Sequence, residues 1–574
     1  MRIGVSVAIG LLALAGCSQA DEPVVGNGTV LPAAQSWEEF RDATIERWFA
    51  IDPAFAVYQG RHEFDGKLPD WSEDGLKKRG TFLKDTIRQA RAFNGLTADQ
   101  KFERDYLVKV AEGQLFWLED ADQPHRNPAF YVNGGLDPNV YLTREYADPA
   151  TRMRATIAFF RAVPAAAANI RANLKVPLPQ SFIDFGIAGF GGFGDFYARD
   201  AAQAFAEVKD PALQRQFAQT AAAAAKAMYD LRDWMQTLKP SATQDFALGP
   251  ERFSRMLKAT EAVDVPLDTL EQIGRADLKR NQDALVAECA RFAPGATIPA
   301  CMARMNAMKP KGGPVAAARK QIPDLRAFVV AKDLATIPGT EEAQVHESPP
   351  YNRQNSAYID PPGPYEKGIP SIYYISPPDP AWSPAEQAAY IPGEPDLLFT
   401  TVHEVMPGHF LQFLHSNRAA SPVGRLFVGY AFAEGWAHYA EEMMWEAGLG
   451  EGDPAIHIGQ LSNALLRDCR FLSAIGLHAR AMSQADAEKM FREQCFQDPG
   501  NARQQAARGT YDPAYLNYTL GKLMIRKLRA DWTATRGGRK AWKPFHDQFL
   551  GFGGPPIPLV RQAMMGEPEP RAIF

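Results

Sequence analysis

The stretch His403-Glu404-Val405-Met406-Pro407-Gly408-His409 holds two histidines around an acid, and thirty-one residues after His403 comes Glu434-Gly435-Trp436-Ala437-His438-Tyr439-Ala440-Glu441. Two histidines, an adjacent glutamate and a distal acid are what a catalytic zinc site requires. Zinc accepts imidazole nitrogen and carboxylate oxygen, and a catalytic site keeps one position open for water. That water falls to a pKa of about 7, and a neighbouring carboxylate can take its proton. Hydrolysis of amide bonds follows from such a site.

The spacing decides what the backbone must do. In the pattern H-E-x-x-H both histidines share one helical face, because four residues turn the chain by about 400°. Here the histidines are six apart, which on a straight helix sets His409 roughly 120° off the face of His403. Pro407 cannot give a hydrogen bond to the carbonyl of His403 and clashes with it, while Gly408 tolerates almost any backbone angle. A bulged turn at Met406–Gly408 within a helix of about 396–415 would return His409 to the metal. The alternative is a helix that ends at Pro407 and leaves His409 on the surface. On a second helix, over about 425–447, Glu434, His438 and Glu441 fall on one face. One of them completes the ligand set, and another is placed to orient a ligand from behind.

His403-Glu404-x-x-Pro407-Gly408-His409-x-x-Gln412 followed by Glu434-Gly435-Trp436-Ala437-x-Tyr439-x-Glu441 resembles a large, mostly bacterial family, domain of unknown function 885. Its members are regarded as zinc metallopeptidases related to the helical gluzincins, and the resemblance runs over most of the chain after about residue 60. It implies His403, His409 and Glu434 as ligands of one Zn2+ per chain, with Glu404 as base. His438 and Glu441 then belong behind the ligands. The run Arg508-Gly509-Thr510-Tyr511-Asp512-Pro513-Ala514-Tyr515-Leu516-Asn517-Tyr518-Thr519-Leu520-Gly521-Lys522 is also similar to the family. Amide hydrolysis needs donors for the tetrahedral oxyanion, and Tyr518, Tyr515 and His478 are the candidates. Arg508 is suited to a substrate carboxylate, or else to an ion pair with Asp512.

The chain of 574 residues carries a net charge of −5, so no basic excess points to nucleic acid. Arg2 and the apolar run Ile3–Ala15 read as an export signal, too short to span a bilayer. Leu14-Ala15-Gly16-Cys17 looks like a bacterial lipobox, with residues 1–17 as the signal and Cys17 as the lipidated residue. Ser18 after it favours, by similarity to other lipoproteins, the outer membrane. Residues 18–35 read as a flexible tether. Export makes disulfides available to Cys289, Cys301, Cys469 and Cys495. The pairs Cys289–Cys301 and Cys469–Cys495 close short loops and are the expected bridges, four free thiols being the alternative.

The rest is mainly helical in period. Trp37, Phe40, Ile45, Trp48 and Phe49 form an apolar stripe, and helices are expected at about 73–94, 97–119, 148–174, 198–238 and 455–480. Gly186–Gly194 reads as a loop beside a cleft. Lys239-Pro240 marks a boundary between an N-terminal helical lobe, 36–240, and a catalytic lobe, 241–574. Ser371–Ser376 is rich in β-branched and aromatic residues and reads as a strand; Pro377-Pro378 ends it and makes it a candidate edge strand. Such an edge, with Tyr373 on it, would hold an extended peptide by main-chain pairing, as in gluzincin-like peptidases. The fold expected is mainly α, multi-helix and two-lobed, with a deep cleft and a small β element near the zinc site. The function expected is an exported, lipid-anchored zinc metallopeptidase of the cell envelope, periplasmic side, acting on peptides. A metal-dependent amidase on a non-peptide or modified amide uses the same site. A peptide-binding lipoprotein without turnover has no use for Glu404.

Overall fold

Capping chemistry opens many of the helices. Ser36 and Glu39 form a capping box at the start of α1 (Trp37–Ile51), and Thr97 with Gln100 does the same for the helix Ala98–Leu115. A computed structural model of the protein describes residues 36–349, 353 and 355–574. The expected signal, Cys17 and the tether 18–35 lie outside the described residues. The chain is mainly helical, with one three-stranded sheet. The helices expected at 73–94, 148–174 and 455–480 run over Glu73–Ala92, Pro149–Asn173 and Pro454–Ala479. Among the described residues no helix is long and apolar enough to cross a membrane.

Two apolar cores organise the helices. The first gathers the α1 stripe (Trp37, Phe40, Ile45, Trp48, Phe49) with α2 (Gln180–Arg199) and α3 (Pro211–Leu238). Burial of each such large apolar side chain contributes roughly 1.5–3 kcal/mol. The expected loop at Gly186–Gly194 is instead the middle of α2. Its glycines serve packing: a Cβ on Gly186 would stand 2.3 Å from the Met235 sulfur on α3, and one on Gly194 would stand 2.7 Å from the Tyr229 ring. The helix pair expected over about 198–238 is instead one long helix, α3, preceded by a 3-10 turn over Ala201–Phe205.

The second core carries the motifs. It contains residues of α4 (Leu267–Phe292), α5 (Glu394–Glu404), α6 (His409–Ser416), α7 (Tyr430–Glu446), α8 (Pro454–Ala479) and α10 (Asn517–Ala534), with α9 (Pro499–Tyr511) between the last two in sequence. Gly435 on α7 and Gly521 on α10 let these helices meet backbone to backbone, because a Cβ on Gly435 would stand 2.5 Å from the Gly521 Cα. Two disulfides brace this core. Cys289–Cys301 ties the end of α4 to the next helix, and Cys469–Cys495 ties α8 to the chain before α9. Loops this short stabilise by about 3 kcal/mol each through the unfolded state.

The sheet sets β1 (Ala343–Glu347), β2 (Ala357–Asp360) and β3 (Ser371–Ile375) in the order β1-β3-β2. The expected strand is present, yet it is not an edge. β3 pairs in parallel with β1 and antiparallel with β2, so Tyr373 faces Val345 on one side and Ile359 on the other. Tyr373 is fully buried. The edge beside the cavity described below is β2, held at its end by Arg144, which donates to Asp360 Oδ1 at 2.7 Å and Glu366 Oε2 at 2.9 Å.

Candidate metal centre

Helix α5 ends at Glu404 and a separate helix, α6, begins at His409. The expected bulge in one long helix is therefore a break, and the expected surface position for His409 after a break is also wrong. The chain doubles back at once: Gly408 N–H donates to Val402 O at 2.9 Å. Gly408 has φ −73°, not a positive φ. Glycine is needed there for space, since a Cβ would stand 1.8 Å from the His403 carbonyl oxygen. Trp436 Nε1 on α7 donates to Pro407 O at 2.9 Å and fixes the turn to the helix that carries Glu434. A tight turn thus does what two further residues of regular helix would prevent.

Three donors meet as a result. His403 Nε2 and His409 Nε2 each lie 3.2 Å from Glu434 Oε2, and the three ligand atoms fall within 4.8 Å of one another. Tetrahedral zinc with nitrogen and oxygen ligands holds them roughly 3.3 Å apart, so the donor set and its spacing fit that ion. Behind it, His403 Nδ1–H donates to Glu441 Oε1 at 2.7 Å, and Arg467 Nη2 pairs with the same oxygen at 3.3 Å. The hydrogen bond to Glu441 leaves His403 Nε2 to face the centre. Burial and Arg467 push the His403 imidazole down, but Glu434 and Glu441 outweigh them and bring it up to about 9. Burial opposes ionisation of Glu434 as well, yet the two histidines hold it well below the usual carboxylate range. Glu404 goes the other way, raised by burial and by Glu434.

A cavity of about 1510 Å³ opens onto this group. Its lining includes Phe55, Tyr58, Phe130 and Phe193 from the first half of the chain, Asn355–Ile359 around β2, and His403, Glu404, His409, Glu434, Arg467, Arg470, Arg508 and Tyr518 from the second. The family described as "Bacterial protein of unknown function (DUF885)" matches residues 53–564, most of the chain and all of these side chains. The chain belongs to the DUF885 family. Two solved structures share the DUF885 chain's fold. One is "a putative lipoprotein of unknown function from Shewanella oneidensis", 24% identical, covering 93% of this chain and 100% of its own, with a TM-score of 0.75. The other is "the putative lipoprotein from Colwellia psychrerythraea", 18% identical, covering 94% of this chain and 99% of its own, with a TM-score of 0.79. No curated protein matches the sequence.

Other expected site residues of this DUF885 chain divide sharply. Tyr518 faces the cavity, its ring 6.1 Å from that of His403. Glu441 lies directly behind His403. His438 is fully buried, turned from the cavity, and its Nδ1 lies 3.4 Å from Glu441 Oε2; burial pushes it down to about 4. It is not a ligand. His478 is a packing residue and not an oxyanion donor: Nε2 donates to Gly509 O at 2.7 Å while Nδ1 accepts from Leu248 N–H at 3.3 Å. Tyr515 is likewise buried away from the cavity against Ser473 Oγ. Tyr373 does not reach the cavity either; burial, then the charge of Glu404, raises its hydroxyl. Arg508 lines the cavity but is paired with Asp512 at 3.0 Å and with the Tyr430 hydroxyl at 2.9 Å. Sequence reasoning missed Trp436, Tyr430 and the positioning role of Arg467. The signal for Arg467 was available: with Arg470 it lies on α8, three residues apart, on one helical face.

Proposed function

We propose that the protein is a zinc-dependent metallopeptidase, tethered by a lipid at Cys17 in the bacterial cell envelope on the periplasmic side, with the outer membrane favoured. One observation carries the enzymatic reading: two imidazole nitrogens and a carboxylate oxygen converge beside a buried, raised carboxylate on the wall of a cavity large enough for a peptide. A zinc ion held by His403, His409 and Glu434 would supply Lewis-acid polarisation of the scissile carbonyl. Glu404, raised by burial, accepts the proton of the attacking water and gives it to the leaving amine. Tyr518 donates toward the developing oxyanion. Glu441, backed by Arg467, keeps His403 in the tautomer that presents Nε2. The outer edge of β2 pairs with the main chain of an extended substrate. In this reading the cavity is the cleft between two lobes, 36–240 and 241–574. The lipobox around Cys17 supports the anchor, as does the description of both solved relatives as lipoproteins. Zinc analysis of the purified protein, with digestion of mixed peptides before and after chelation, tests the reading. It expects about one zinc per chain and cleavage that chelator abolishes. Full cleavage by zinc-free protein, or none by zinc-loaded protein, would sink it.

A further inference from the structure

Three arginines line the cavity beside the metal triad, and they are not equivalent. Arg467 leans on Glu441 and donates through Nη1 to Asn463 O at 3.0 Å and Oδ1 at 2.6 Å. Arg508 is committed to Asp512 and Tyr430. Arg470 has no carboxylate among the described residues. Its Nε donates to Gln505 Oε1 at 2.8 Å, and this is its one side-chain hydrogen bond to a described residue. Neither Nη is sealed in protein, although the residue is only 7% exposed. After burial, the largest influences on its charge come from Tyr518, Arg508, Arg467 and Tyr430, two of them further cations. A cation so enclosed, with donors left open, is unfavourable until an anion arrives.

Its place names the anion. The Arg470 guanidinium stands 4.7 Å over the Tyr518 ring, and that ring is 6.1 Å from the His403 ring. Extended peptide advances about 3.4 Å per residue and the guanidinium–carboxylate contact itself spans about 3 Å, so a carboxylate held there lies one or two residues from a bond held at the triad. We infer that Arg470 receives the C-terminal carboxylate of the substrate, so that the enzyme removes one or two residues from free carboxyl ends. This rests on the peptidase reading above. Arg508, expected from the sequence to take such a group, instead walls the subsite with Tyr430 and Tyr518.

The test separates the two readings because it uses binding as well as cleavage. Three peptides of one sequence are offered to full-length, zinc-loaded Glu404→Gln protein in a calorimeter: a free acid, its C-terminal amide, and an amide with glutamate placed next to last. The free acid is expected to bind about 10- to 100-fold more tightly than the amide. Arg470→Gln on the same background should bring that ratio close to one. Should that variant unfold, Arg470→Lys keeps the charge without the fork and should retain part of the preference. Wild-type digests of the free acid should show cuts at the last or next-to-last bond. Equal binding of acid and amide overturns the inference, as does a preference carried by the internal glutamate. Cleavage at internal bonds irrespective of the end group leaves the peptidase reading and removes this one. Acid preference that needs Arg470, without any cleavage, leaves the carboxylate subsite and removes the peptidase.

Discussion

His403 and His409 converge on one carboxylate oxygen, but they are held in different ways. His403 rests on charge: Glu441 and Arg467 stand behind its Nδ1. His409 has no such support, and its buried Nδ1 has no hydrogen-bond partner among the described residues. Its position comes from the backbone, through the doubled-back turn that Gly408 permits and Trp436 pins. One imidazole is thus tuned by side chains and the other by chain geometry. Substitutions near the first should act on metal affinity through the buried charges behind it. Those near the second should disturb fold and metal together.

The contrast presupposes that Glu404, between the histidines in sequence, is not itself a ligand. Glu404→Gln should therefore keep its zinc and lose about 10²–10⁴-fold in turnover; loss of zinc in that variant would remove the distinction. Gly408→Val comes next. Its side chain must enter space occupied by the His403 carbonyl, so stability should fall by about 3 kcal/mol, at the upper end for overpacking, with zinc lost in parallel. Thermal melts and zinc content check this, and a normal melt with full zinc would show that the turn has slack. Glu441→Gln leaves buried Arg467 without its carboxylate, so it should lower the melt while weakening zinc about 10- to 100-fold, measured by competition with a chelator. Trp436→Phe removes one hydrogen bond to a buried carbonyl and should cost about 1–2 kcal/mol. Because the last two act on different histidines, their effects on zinc affinity should add within about 0.5 kcal/mol. Strong coupling between them would mean that the two supports are one.

The cluster of His403, His409 and Glu434 was legible because its signal is local: residue types and their order name the three side chains. What eluded the sequence depends on who stands opposite. Gly408 was read for its backbone freedom, but it is there because a carbonyl presses on the missing Cβ. Gly186–Gly194 looked like a loop because each glycine costs a helix about 1 kcal/mol; Met235, Val132 and Tyr229, distant in sequence, outweigh that by packing into the notches. β3 was recognised as a strand from its side chains, but its central place depends on β1 and β2, which carry weaker signals. His478 and Tyr515 were chosen by residue type, and only the paths of α8 and of the 3-10 turn Pro513–Leu516 after α9 show them turned into the core. Arg470 could not be singled out, since what marks it is the absence of an acid across a cavity.

The sheet has two outer strands, and they meet different neighbours. On β1, Arg319 already donates to the Val345 carbonyl, through Nη2 at 2.6 Å and Nε at 3.1 Å. β2 lies against the cavity, where residues 355–359 form part of the lining. An unpaired strand on a protein's outside is an invitation to other copies and to misfolded chains. Recessed in this way, β2 discriminates by thickness. A folded domain, whose own strands are wrapped in helices and side chains, cannot bring a backbone to it. A single unstructured segment can. On the peptidase reading proposed above, the recess would act as a sieve for the folded state of a substrate, sparing intact proteins and admitting loose ends.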